Sequence, residues 1–74
     1  HEGIVSEGFV REYGISKRET EIVGLISHGL SNKQIASHVS ASLTTVRTHI
    51  YNIFKKTSAE SRVDLLRIVS GYRE

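Results

Sequence analysis

A serine stands at the start of a helix at four places in this chain, and each one fixes where a turn stops and a helix begins. Ser16 is followed three residues later by Glu19, Ser31 by Gln34, Ser42 by Thr45, and Ser61 by Asp64. The first two fit the reciprocal capping box, in which the serine hydroxyl accepts the N3 amide and the N3 side chain returns to the serine amide. The Ser61 pair is a weaker acidic variant, and at Ser42 only the cap itself is supported. Apolar residues recur at helical spacing after each serine, and there is no proline to interrupt them. Helices are therefore expected over about 17–28, 32–38, 43–57 and 62–72.

The joints between them have their own chemistry. Gly29 suits the left-handed position that follows a helix. Leu30, just before the Ser31 cap, can staple onto Ile35 at the fourth helical position. Ile22, Val23, Leu25 and Ile26 form the apolar stripe of the 17–28 helix, which is interrupted by Gly24. A glycine inside a helix costs about 1 kcal/mol against alanine. Only Ser40-Ala41 separates the 32–38 helix from the Ser42 cap, and a connection this short makes a helix-turn-helix. Residues 1–14 read as a linker or a short N-terminal helix. Val5, Phe9 and Tyr13 recur every four residues, and Glu7 can pair with Arg11. That pattern admits a short extra helix within 4–13, ended by Gly14. The fold class is all-α, a four-helix domain over 15–74 around a central helix-turn-helix.

At 74 residues the chain should form one domain. Folding at this size buries only about 60% of the unfolded surface, enough for packed helices and not for a deep catalytic cleft. There is no cysteine, hence no disulfide framework and no thiolate metal site. Ser, His and Asp all occur, but without a G-x-S-x-G elbow. His28, His38 and His49 lie 10 and 11 residues apart, without paired ligand spacing. No enzymatic activity, metal or cofactor is expected. No apolar run approaches the ~18 residues of a membrane span, and there is no signal-peptide pattern. A cytoplasmic location is expected, although a longer protein could be membrane-anchored through a part absent from this chain.

Net charge is only +2, but it is unevenly placed. Between Glu21 and Glu60 there is no acidic residue, while Lys33, Arg47, Lys55 and Lys56 lie there with His38 and His49. Four positive and no negative charges give +4 in that window and leave −2 for the rest. Charge separated in this way suits a polyanion.

The 43–57 helix shows where the polyanion would lie. At 100° per residue, Val46, Ile50, Ile53 and Thr57 cluster within about 60° of arc, flanked by Leu43 and Phe54. That side is core. Opposite stand Thr44, Thr48, Tyr51, Asn52 and Lys55, with Arg47 on one flank and Thr45, His49 and Lys56 on the other. These side chains can hydrogen-bond to bases or phosphates, and an α-helix fits the DNA major groove. Asn32 and Lys33 fall on the first turn of the helix that should cross the backbone. Free amides and a lysine there favour a phosphate.

The segment ISKRETEIVGLISHGLSNKQIASHVSASLTTVRTHIYNIFKK, followed by SRVDLL, resembles the LuxR/GerE-type helix-turn-helix domain of bacterial transcription regulators. The marks are Arg18-Glu19 after Ser16, Gly29 to Lys33, Ile35-Ala36, Ser42, and Thr45 to His49. Asn52-Ile53, Lys55-Lys56 and Arg62 complete them. The resemblance covers about 15–70. It implies that the 43–57 helix reads the major groove, with Arg47, Thr48 and Tyr51 at base-contacting positions. Lys33, Thr45, His49 and Lys55 match backbone-contacting positions, to which the outward face and the first turn of the 32–38 helix add Asn32, Thr44 and Asn52. The resemblance also implies double-stranded DNA as partner and a dimer contact on the last helix. A contact with RNA polymerase is a further expectation, and a sensor or phosphorylated receiver domain is expected to precede this one in the full-length chain. There are departures. Ala41 replaces a larger aliphatic, so a looser turn is expected. Thr57-Ser58 replaces Leu-Gly, so a different end to the 43–57 helix is expected. Tyr51 occupies a variable position, so no operator carries over.

On the last helix, Leu65, Ile68, Val69 and Tyr72 span one apolar face. Val63 and Leu66 lie beyond it, toward Arg67. That second face, with Ser70, is expected to form a weak homodimer. Two alternatives stand beside sequence-specific DNA binding: a helix-turn-helix used only for protein dimerisation, and a sigma-factor-like promoter-reading domain. The acid-free window argues against the first, and GLSNKQIA with TVRTH against the second.

Overall fold

The computed structural model describes residues 5–72. It is all-helical over them: α1 (Glu7–Tyr13), α2 (Lys17–Ser27), α3 (Asn32–His38), α4 (Leu43–Thr57) and α5 (Arg62–Ser70). The four expected helices begin on the expected residues. α2 ends one residue early, and α5 two residues early. Beyond α5, Gly71 and Tyr72 turn more tightly, with Tyr72 N–H reaching the Val69 carbonyl at 3.0 Å. That i→i+3 spacing is a 3₁₀ turn rather than a continued α-helix.

All four serines cap. Ser16 Oγ accepts the Glu19 amide at 3.1 Å, and Glu19 Oε1 accepts the Ser16 amide at 2.9 Å. The Ser31–Gln34 pair does the same at 3.2 and 2.8 Å. Ser42 Oγ accepts the Thr45 amide at 3.0 Å and Ser61 Oγ that of Asp64 at 3.1 Å. The Asp64 carboxylate accepts not from Ser61 but from the Glu60 amide, at 3.0 Å. That amide first and Arg67 second hold Asp64 below its ordinary value. A fifth serine was not expected: Ser6 Oγ accepts the Phe9 amide at 3.1 Å and opens α1.

α1 lies within the common core, with Phe9 fully buried. Its ring is 5.2 Å from that of Tyr13 and 5.9 Å from that of Tyr72, in tilted and edge-on geometry. The first four residues of the 1–14 segment lie outside the described residues. Around Phe9 the core gathers Ile22, Val23 and Ile26 of α2, Ile35 of α3, Val46 and Ile53 of α4, and Leu65 of α5.

The two turns that set α3 share one motif. Gly29 is left-handed, with φ 87°. Its amide reaches the Ile26 carbonyl at 2.9 Å, and Leu30 N–H reaches that of Leu25 at 3.2 Å. This is the Schellman termination. After α3, Ser40 takes the left-handed position, with φ 57°, and Ala41 N–H reaches the Ala36 carbonyl at 3.0 Å. Ala41 is half-buried against the core. At the end of α4, Ser58 adopts φ 61°, a conformation suited to glycine. The buried Thr57 hydroxyl donates to the Ile53 carbonyl at 2.9 Å and accepts the Ala59 amide at 3.3 Å.

Three cations tie the helices together. Arg18 donates from α2 to the Val39 carbonyl at the end of α3, at 3.4 Å. Lys56, expected to flank the outward face of α4, points the other way. Its ammonium is 2.6 Å from Glu19 Oε1 and 3.0 Å from the Gly14 carbonyl. The Glu19 side chain is only 5% exposed. Burial alone would raise its pKa, but the Lys56 hydrogen bond and charge, with the Ser16 amide and hydroxyl, outweigh it and hold Glu19 below the ordinary value. The third cation is Arg62, at the start of α5. One nitrogen donates to Asn32 Oδ1 at 2.8 Å, and the other donates to the Leu30 carbonyl.

Candidate nucleic-acid interface

α4 presents its outer side as the 3.6-residue period requires. Val46, Ile50, Ile53 and Thr57 are buried, whereas Thr44, Thr45, Arg47, Thr48, Tyr51 and Lys55 are exposed. His49 and Asn52 stand half-buried at the margins. Tyr51 is 62% exposed, which is unusual for so large an apolar ring. The Lys55 ammonium lies 5.6 Å from its ring centroid, one turn on, in a cation–π arrangement. Thr48 Oγ1 donates to the Thr44 carbonyl at 3.1 Å, and Thr45 Oγ1 accepts from Ser42 Oγ at 2.9 Å. Both bonds lie within α4 or its cap and are readily exchanged for an outside partner at an exposed site.

α3 meets the start of α4 across an open cleft of about 550 Å³. Asn32, Lys33, Leu43, Arg47 and Arg62 are among its lining, and no carboxylate is. Lys33, on the first turn of α3, and Arg47, on the second turn of α4, thus face the same space. With Lys56 turned inward, the positive charges left on this side are Lys33, Arg47, Lys55 and the half-buried Arg62. The Ser31 cap takes the Gln34 amide, leaving the Asn32 and Lys33 amides at the helix start. Asn32 is more engaged than expected, because its carboxamide oxygen already accepts from Arg62.

α5 differs from the wheel in one respect. Leu65 and Val69 are buried as expected, but Leu66 is half-buried and packs on the core rather than standing apart. Val63 is 78% exposed. Arg67 and Ser70 are exposed, and Arg67 is held by Asp64 at 2.6 Å. Among the described residues no group of three or more His, Cys, Asp or Glu side chains could hold a metal ion. No helix among them is long and apolar enough to cross a membrane.

The roles of Arg62 and Lys56 were not legible in the sequence. Both stand in the segment that carries the family resemblance, but their partners are 30 and 37 residues away.

α3 and α4 thus form a helix-turn-helix whose outer face carries no carboxylate. The family model described as bacterial regulatory proteins, luxR family, matches residues 14–69. The chain belongs to this family. The match begins at the glycine that ends α1, so α1 lies outside it while packing in the same core. Among curated proteins, this luxR-family chain is 46% identical over 52 residues to the monoamine regulon transcriptional regulator of Klebsiella aerogenes. The alignment covers 70% of this chain and 23% of that protein, so the chain spans about a quarter of the relative's length. No solved structure matches. The family and this relative make DNA-binding regulation of transcription the general function of the luxR-type domain.

Proposed function

We propose that the chain is the sequence-specific DNA-binding part of a bacterial transcription regulator, with α4 seated in the major groove. The observation that carries this is the exposed, carboxylate-free face on which Arg47, Thr48 and Tyr51 project from α4 while Lys33 faces Arg47 across one cleft. Arg47 would grip a guanine through O6 and N7. Thr48 and Tyr51 would meet neighbouring base edges. Lys33, with Asn32, and the α4 residues Thr44, Thr45, His49, Asn52 and Lys55 would hold the flanking phosphates.

Two copies would bind together through α5, using Val63, Leu66, Arg67 and Ser70. Each α4 would then enter one of two successive major grooves. A sensor or receiver domain in the same longer protein would supply the signal, RNA polymerase would be a downstream contact, and the work would take place in the cytoplasm.

Selection of bound duplexes from a random pool tests this reading. The expected result is an imperfect palindrome with half-sites about one helical turn apart. A pool that stays random after several rounds contradicts it.

A further inference from the structure

We propose that Arg62 is a positioning residue for DNA binding, acting through Asn32; this rests on the DNA-binding reading above. Arg62 opens α5, yet its guanidinium reaches back to the turn before α3 and to the first residue of α3. It donates to two acceptors at once, the Leu30 carbonyl and Asn32 Oδ1. A guanidinium has only donors. Asn32 must therefore present its carboxamide oxygen to Arg62, and its NH₂ is left to point away.

That orientation has a consequence at the cleft, which Asn32 lines together with Lys33 and Arg47. No group among the described residues accepts from the Asn32 NH₂. Phosphate oxygens only accept, so the NH₂ end is the half of a carboxamide that a DNA backbone can use. A flipped carboxamide would set oxygen against oxygen. The cation behind the amide also polarises it and makes its N–H bonds stronger donors. The same two bonds anchor the turn that carries Lys33 onto α5. Arg62 thus turns a neutral residue into a directed phosphate donor.

The test is a double-mutant cycle on binding to a random-sequence duplex of about 20 base pairs. The proteins are the intact chain, Arg62→Ala, Asn32→Ala and the double variant, each melted in parallel. Each single variant should bind about tenfold more weakly, as expected for the loss of one charge-assisted hydrogen bond. The double variant should also be about tenfold weaker, because both changes remove the same contact. Arg62→Lys keeps the charge but cannot span both acceptors, and it should show the same loss while remaining folded. Losses that multiply to about a hundredfold, or full binding by Arg62→Lys, would mean that Arg62 acts only by charge or by stability, and would overturn the relay. An intact chain that binds no duplex overturns both the relay and the DNA-binding reading. A chain that binds duplexes while the losses multiply overturns the relay alone.

Discussion

The Lys56 ammonium sits 2.6 Å from Glu19 Oε1, bridging the last turn of α4 to the first turn of α2. The same carboxylate oxygen closes the Ser16 capping box, so one atom serves a local cap and a long-range tie. Removing the lysine leaves a buried carboxylate with its cap bonds alone. Lys56→Met should lower stability by about 1–3 kcal/mol, below the full figure for a buried pair because the lysine is partly in water. Urea melts would measure it. DNA affinity of the folded variant should change far less than for a lysine on the outer face.

The tie also has a pH signature. Glu19 is held below its ordinary value of 4.5, so its contribution is complete above that value and is lost as pH falls through the lower folded-state value. The stability gap between the natural chain and Glu19→Gln should be widest near neutrality and should narrow as pH falls below 4.5. Melts at several pH values check this. A gap that stays constant would mean that Glu19 is not held ionised by the fold.

Gly24 is a cost without a packing benefit. A Cβ there would meet only Val5 Cγ2, at 3.9 Å, an ordinary contact. Gly24→Ala should therefore stabilise the chain by roughly 0.5–1 kcal/mol. Gly29→Ala should do the reverse, by about 1–2 kcal/mol, because φ of 87° is strained for any residue with a side chain. Thermal melts of the two variants moving in the same direction would refute the assignment.

Ser31 holds the α3 start through both halves of its capping box. Ser31→Ala should lower stability by about 0.5–2 kcal/mol. It should also weaken DNA binding at temperatures where the variant is fully folded, since Asn32 and Lys33 follow directly. An unchanged denaturation midpoint would show that the cap contributes nothing.

The α5 contact is best probed at Val63, which is 78% exposed, rather than at Leu66, which leans on the core. Val63→Glu should fold normally and bind one half-site normally, yet lose cooperativity on two. Sedimentation and paired half-site titrations read this directly. Cooperativity that survives would place the contact between copies elsewhere.

What could be read from the sequence was local. The Ser16, Ser31, Ser42 and Ser61 caps act over three residues, and the buried stripe of α4 follows from its period. Ser6 escaped because the Val5, Phe9 and Tyr13 pattern admits a helix from residue 4, which puts Ser6 inside the helix rather than at its start. The end of α5 shifted because the chain passes to i→i+3 bonding at Gly71 and Tyr72, a change the apolar pattern does not register. Lys56 and Arg62 escaped for a deeper reason: a cation on a helix wheel looks solvated until its partner is known, and Glu19 and Asn32 are brought near only by the fold. Leu66 likewise borders the apolar arc, and tertiary packing decided which way it leans.

The outer side of α4 should read base sequence while the start of α3 grips the backbone, and one comparison separates these roles. Arg47→Ala and Lys33→Ala would be titrated against the selected site and against a random duplex at several salt concentrations. Arg47→Ala should lose about 1–3 kcal/mol at the selected site and much less on the random duplex. Lys33→Ala should weaken both alike and reduce the salt slope by about one unit. Equal losses on both duplexes for Arg47→Ala would contradict base reading by α4.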